Sequence, residues 1–281
     1  MKNPIPNSVR GIIIGTWIAG LVWLENRRAL RAVHTSKLRR DVRNLVIAVP
    51  AGGVMQALEL PIAFKLAELA QRKKWGILRR LPLPPVVAGA VGILLLDYTL
   101  YWWHFLTHRV PFLWRFHQVH HLDQEMDATT ALRFHFGEIT ISVAFRAAQI
   151  IVIGPTPTTV AFWQVFLFLC ILFHHSNVRL PLALERRIAR IVITPRLHGI
   201  HHSIAPEEVN SNWSSGFSIW DLLHATLRTE TPQHTLTLGV RGFLGGSEDT
   251  ICKALLFPFH IPGEPPEYNQ VQVRQSFDAL A

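Results

Sequence analysis

The chain has 281 residues, of which 49% are hydrophobic and only 17% charged. An average soluble protein carries roughly a quarter charged residues, so a disordered chain is excluded and a purely soluble one is disfavoured. The 28 Lys and Arg against 19 Asp and Glu give +9, an excess that in so apolar a chain fits anionic lipid head groups and sets nucleic acid aside as a partner.

The first apolar run, Gly11 to Leu24, is short of the roughly 20 residues of a spanning helix. No small-residue cleavage site follows it, so it reads as an uncleaved anchor rather than a signal peptide. Arg27, Arg28, Arg31, Lys37, Arg39, Arg40 and Arg43 against Asp41 then make a cluster of +6, which the positive-inside rule places in the cytoplasm. From Leu45 to Leu69 the chain is apolar but carries Pro50, Glu59, Pro61 and Lys65, which predicts a bent span or a hairpin that dips in and returns. Arg72, Lys73, Lys74, Arg79 and Arg80 follow, and only the hairpin keeps them on the side of the first basic cluster.

Leu81 to Trp103 is a third apolar segment, ending in an aromatic pair suited to a membrane boundary. The fourth region, Ile139 to Phe173, is broken by Gly154, Pro155 and Pro157, which predicts two helices joined by a tight turn. Two crossings return the chain to its starting side, so histidines on both flanks can reach one site. The expected fold is therefore all-α, an integral membrane helical bundle of about four spans with a cytosolic histidine-rich cap that binds metal. Three parts are expected: an anchor with a basic cytosolic segment over 1–80, a histidine-bearing region over 81–230, and a mostly polar tail over 231–281. Cys170 and Cys252 form no CxxC pair, so neither a disulfide framework nor a thiolate zinc site is indicated.

Of 15 histidines, eleven fall between His104 and His202. His104 and His108 are four apart at a helix end, and Asp97 and Tyr101 share their face within roughly a 60° arc. His117, His120 and His121 form an HxxHH pattern that recurs at His198, His201 and His202. One such match is expected by chance about 0.04 times in a chain of this composition, so two copies are a strong signal. Imidazole suits zinc, copper, iron and nickel alike. A structural zinc needs only four ligands, and eight or more candidates point to two metals with positions left open for substrate or oxygen. Neutral ligands leave the metal charge uncompensated, which makes a nearby carboxylate useful for holding a ring N–H; Asp97 and Asp221 are the candidates.

In order, DYTLYWWHFLTH, WRFHQVHH, RFHFGE, FHHSNVRLP, TPRLHGIHHS and NSNWSSGFSIWD resemble the fatty acid hydroxylase or sterol desaturase superfamily over about Leu94 to Leu227. The resemblance implies a membrane enzyme whose histidines hold two iron ions, with zinc as a substitute. It also implies that O2 and external electrons are used to hydroxylate or desaturate a lipid such as a sterol or fatty acyl chain. Carried over residue by residue, the catalytic metal ligands are His104, His108, His117, His120, His121, His198, His201 and His202. The histidine before Ser-Asn falls on His175, with the adjacent His174 as the alternative, and a further ligand position known in some members falls on Cys170. Asp97, Tyr101, His135 and Asp221 are expected around the ligands, although Phe136 follows His135 where many members have proline. His224, where phenylalanine is usual, reads as a packing residue.

The glycines at 239, 242, 245 and 246 lack the GxGxxG spacing, so no nucleotide module is indicated. Electrons are then expected from a separate protein, a ferredoxin or cytochrome b5 with its reductase. The basic residues 27–43, with Arg186, Arg187 and Arg190, offer either a docking surface for such acidic carriers or contacts to lipid head groups. Two other classes compete. A metal transporter would place its ligands along the spans, and a haem electron carrier would leave most of the histidines unexplained.

Overall fold

In the computed structural model, residues 4–245 and 250–260 are described; Gly246 and the tail beyond His260 lie outside them. Among the described residues the secondary structure is helical, with three isolated β-bridges and no strand. Five stretches are long and apolar enough to cross a membrane: α1 (Asn7–Arg27), the segment Lys37–Arg79, α4 (Pro85–Arg109), α6 (Phe136–Ile153) and α7 (Pro157–His175). Large apolar side chains such as Ile12, Val49 and Val86 point outward from them, as lipid-facing positions do. The bundle of about four spans read from the sequence is thus met by five candidate helices.

The option of a hairpin within 45–69 is not what forms. α2 (Lys37–Val54) passes through a π-helical turn, Met55–Glu59, into α3 (Leu60–Lys73) without reversal. Pro61 has a physical part in this, because a proline ring clashes with the carbonyl four residues back, here that of Ala57, and a widened turn relieves the clash. Arg72, Lys73 and Lys74 therefore lie at the opposite end of one long helical segment from Arg39, Arg40 and Arg43.

The break in the fourth region is as the glycine and prolines demand. Gly154 closes α6 with φ 71°, and Thr156 caps α7 by accepting from the Thr159 amide at 3.0 Å, with Pro157 in the first turn. Gly76, with φ 91°, crosses this turn so closely that a Cβ on it would lie 2.4 Å from the Gly154 nitrogen. Apolar side chains of α3, α6 and α7 pack around Ala63, Phe64, Ala67, Ile150 and Val160. Those of α4, α6 and α7 pack around Leu96, Leu100, Ile153, Trp163 and Leu167.

Six shorter helices complete the fold among the described residues. α5 (Pro111–His121) turns off the end of α4 at Val110, while α8 (Leu182–Ala189), α9 (Pro195–His201), α10 (Pro206–Val209) and α11 (Ile219–Leu223) follow α7. α12 (Ile251–His260) packs Ala254 and Phe257 against Ile47 of α2 and Trp114 and Val119 of α5. α5 begins where α4 ends and α9 packs against α7, so the histidines of all four reach the same end of the bundle.

The basic cluster after α1 is largely occupied by acids brought from far along the chain. Arg40 pairs with Glu125 at 2.8 Å and with Asp127, Lys37 with Asp127 at 3.1 Å, and Arg43 with Asp123 at 3.2 Å. Arg31 donates to the Pro195 carbonyl at 3.2 Å and to Gln233 at 2.7 Å. These residues clamp the loop leaving the first HxxHH triad and the start of α9, so the expected docking surface at 27–43 is largely an internal contact.

Candidate metal centre

Nine imidazoles gather into two groups. His104, His108, His117, His121 and His201 form one, and His120, His175, His198 and His202 the other; within each group one ring nitrogen per residue lies within 4.8 Å of all the rest. Helical spacing explains the sorting. Within each HxxHH triad the four-residue pair, His117 with His121 and His198 with His202, enters one group, and the remaining histidine, His120 or His201, enters the other.

In the second group His175 Nε2 lies 2.9 Å from His120 Nε2 and 3.0 Å from His198 Nε2, which is 3.2 Å from His202 Nε2. His175 Nδ1 faces the Ile171 carbonyl at 2.8 Å and so carries the proton, which leaves a bare lone pair at Nε2 aimed at two other nitrogens. Nitrogens crowded in this way repel unless protons or a cation lie between them. In the first group both ring nitrogens of His108 and His121, with Nε2 of His117 and His201, are buried without a hydrogen-bond partner. Each such atom costs about 1–3 kcal/mol if nothing binds it. This donor set fits a metal in each group.

Protonation does not compete with metal here. Burial holds His120, His121, His198 and His202 well below the ordinary imidazole value, and their neighbouring imidazoles add to the effect. His201 is brought to about 3, chiefly by burial. All five are neutral at physiological pH, the form that ligates.

Four rings are oriented through Nδ1. His104 faces the Trp213 carbonyl at 2.7 Å, His201 the Ser211 carbonyl at 2.8 Å, His175 that of Ile171, and His117 the Glu138 carboxylate at 2.9 Å. Each leaves Nε2 for the metal, the usual arrangement around ligating histidines. Glu138 is absent from the residues nominated on sequence; its signal was the single acid of α6, in its first turn.

Asp97 and Asp221 do not hold ring N–H groups. Asp97 accepts from the Phe217 amide at 2.9 Å and Trp220 Nε1 at 2.7 Å, while Asp221 accepts from the amides of Trp213 and Ser214, both at 2.9 Å. Both carboxylates thus hold the 213–220 segment, Asp97 through one amide and the Trp220 indole and Asp221 through two amides, and Asp221 reaches His104 only by fixing Trp213. Tyr101 Oη lies 3.2 Å from the Thr226 hydroxyl, and its ring stacks on His224, which packs as expected. His135 caps α6 by accepting from the Gly137 amide at 2.9 Å, with Nε2 3.1 Å from the Leu255 carbonyl; it joins neither histidine group. His174 also stands outside both, its ring 4.0 Å from that of His198. Cys170 is buried away from both groups.

The histidines close one end of a cavity of about 470 Å3. His104, His117, His120, His175 and His198 line that end, and Leu100, Trp103, Ile139, Leu167 and Phe168 the walls. Ile14 of α1, Met55 and Leu60 lie along it as well, so an apolar passage runs from the imidazoles among the spanning helices.

Residues 89–226 match the fatty acid hydroxylase family. The match covers just under half of the chain and takes in every histidine of the two groups. Relatives 31% identical to it include the ornithine lipid hydroxylase OlsE of Rhizobium tropici, over 57% of this chain and 47% of the relative. The alkylglycerol monooxygenase of Xenopus tropicalis is also 31% identical, over 48% and 29%. The cholesterol 25-hydroxylase of Mus musculus is 29% identical, over 50% and 46%. The chain thus spans about half or less of the length of these relatives. No solved structure matches it.

Proposed function

We propose that this chain is a multi-pass membrane enzyme of the fatty acid hydroxylase family that hydroxylates a lipid. The observation that carries the reading is an apolar cavity among spanning helices that ends on two groups of buried, neutral, converging imidazoles. His104, His108, His117, His121 and His201 would hold one iron ion and His120, His175, His198 and His202 the second, with zinc as a substitute. When bound, the two ions supply the reductive activation of O2 that no side chain can provide.

The chain itself does the rest. The apolar walls bind an alkyl segment and exclude water from the histidine end. The Trp213, Ser211 and Ile171 carbonyls and the Glu138 carboxylate keep the ring protons on Nδ1 and the Nε2 lone pairs inward. Overall, a C–H bond, O2, two electrons and two protons become a C–OH group and water. The electrons are assigned to a ferredoxin or cytochrome b5 with its reductase, because no side chain lining the cavity can supply them. The basic residues at the end of α1 favour a cytoplasmic orientation for the metal end. Hydroxylation is preferred to desaturation because the relatives above are hydroxylases or monooxygenases by name.

The test reconstitutes the iron-loaded protein in lipid nanodiscs with NADPH, reductase and carrier. Three lipids are offered in turn, those after which the relatives are named: an ornithine lipid, an alkylglycerol and cholesterol. At least one should gain a single oxygen atom from 18O2, and His120→Ala or His202→Ala should abolish the product together with metal. Product that persists in either variant, or after the metal is stripped, would refute the reading.

A further inference from the structure

The cavity wall carries an ion pair that neither the metal groups nor their orienting contacts use. Glu59, on the π-helical turn, and Arg146, on α6, both line the cavity and are both buried to 8% exposure. Arg146 Nε lies 3.5 Å from Glu59 Oε1, too far for a good hydrogen bond, and has no hydrogen-bond partner. Ser142, also lining the cavity, donates to Glu59 Oε2 at 3.2 Å. The Arg146 guanidinium is held from the other sides, lying 4.5 Å over the ring of Trp163 and donating through Nη1 to Gln149. Gln149 in turn donates to the Leu96 carbonyl at 2.8 Å.

Within membrane spans such charges are expensive, and ones that line a cavity mark a functional site more often than a structural one. An apolar pair of similar volume would hold the helices together at least as well. A loosely made pair with one donor unfilled, built into a cavity wall, instead leaves room for a third polar group. Together it presents a donor and an acceptor with no net charge. That combination suits a neutral group able both to accept and to donate, a hydroxyl or a secondary amide, and gives a carboxylate no advantage.

Position along α6 adds a length. Glu138, which holds His117, and Ser142 and Arg146 follow one another at four-residue spacing on one face, so Arg146 stands about 12 Å along the axis from Glu138 at 1.5 Å per residue. An extended chain advances about 1.2 Å per bond, which makes that span roughly ten bonds.

We infer that Glu59 and Arg146 form a recognition point for a neutral hydroxyl or amide of the lipid, and that they place the carbon about ten bonds away at the histidines. The pairing at Glu59 and Arg146 stands on the cavity alone; the ruler rests on the proposed lipid hydroxylation.

The test measures binding first, without metal or turnover. Radiolabelled 1-tetradecanol and tetradecane are equilibrated with the full chain in nanodiscs and in protein-free nanodiscs, and retention by the protein is compared. The alcohol should bind about tenfold or more tightly than the alkane. Arg146→Met and Glu59→Gln should bring the ratio close to one while leaving alkane retention unchanged. Should a single variant fail to fold, Glu59→Met/Arg146→Met together remove both charges and keep the volume.

Product mapping follows in the reconstituted enzyme. The wild type should oxidise the alcohol within a narrow window around C10 to C12, and the variants should scatter oxidation along the chain. Equal binding of alcohol and alkane by the wild type, or an alcohol preference that survives the double variant, would overturn the inference. An alcohol preference lost in the variants but without oxidation in any of them would instead sink the hydroxylase reading and leave the recognition point standing.

Discussion

Removing the Glu138 carboxylate should separate the two metal groups from one another. Its hydrogen bond to His117 Nδ1 is 2.9 Å long and wholly buried, so Glu138→Ala leaves a ring N–H without a partner and frees the ring to rotate. A buried donor stranded in this way costs about 1–3 kcal/mol, equivalent to roughly 5-fold to 150-fold in affinity. Loss of an outer hydrogen-bond partner from a ligating histidine characteristically costs about 10–100-fold, and the two ranges agree. The loss falls on the group of five that contains His117, while His120, His175, His198 and His202 keep their own contacts. The assay is an anaerobic Fe(II) titration against a competing chelator, with the bound metal counted by mass spectrometry. One of two sites should weaken by about 10–100-fold, and Glu138→Gln, which retains an acceptor oxygen, should recover most of it. Equal weakening of both sites, or none, would refute the assignment of Glu138 to a single group.

Further outcomes follow from other contacts. His175→Ala should remove one metal per chain, whereas His174→Ala should leave both, because only His175 lies within a histidine group. Asp97→Ala strands the Phe217 amide and the Trp220 indole and should destabilise the protein by roughly 3 kcal/mol or more in a denaturation experiment. Gly216→Ala, whose Cβ would lie 2.2 Å from Asp97 Oδ1, should act on the same loop and add little to Asp97→Ala. Burial would raise Glu125, but the Thr35 hydroxyl, the His34 and Thr35 amides and Arg40 hold it below its ordinary value. Its stabilisation is therefore complete above about pH 4.3 and is lost as pH falls through the depressed folded value. Hydrogen exchange at the His34 and Thr35 amides should rise over that acid range, and Glu125→Ala, which removes the acceptor, should make it fast at neutral pH. Labels at Gln124 and Glu207 should report one side of the membrane and a label at Thr156 the other; opposite sides for the first pair would break the shared metal end.

Covalent constraints made the helix break at Gly154 to Pro157 legible in the sequence. The histidine triads were legible because a ligand set must repeat at helical spacing. Proteins do not advertise their hydrogen-bond partners in the same way. Glu138 reaches His117 only because α6 packs beside α5, and the acids at 123, 125 and 127 meet Arg40 and Arg43 across about eighty residues of chain. A charge count could therefore see a basic surface where the fold makes a clamp. Asp97 was misassigned for a related reason: sharing a helical face with His104 and His108 fixes its direction but not what approaches it, and the 213–220 loop arrives first.

The π-helical turn at Met55–Glu59 makes the position of Glu59 a matter of residue number more than of residue type. In an unbroken α-helix, positions eight apart stand roughly 80° out of phase. The additional residue absorbed by the wide turn takes back about 100°, so Ala51 and Glu59 come within about 20° of each other. The buried series Arg40, Asn44, Ile47 and Ala51 consequently resumes at Glu59, Ala63, Ala67 and Ala70, skipping the exposed Met55 and Leu58. Running the same residues as an unbroken α-helix would leave composition and hydropathy unchanged while swinging the carboxylate by about 100° toward lipid. A homologous chain with one residue fewer in this stretch could run as a plain α-helix and still point its acid into the cavity, so a gap in an alignment here would mark a lost wide turn and not a lost charge.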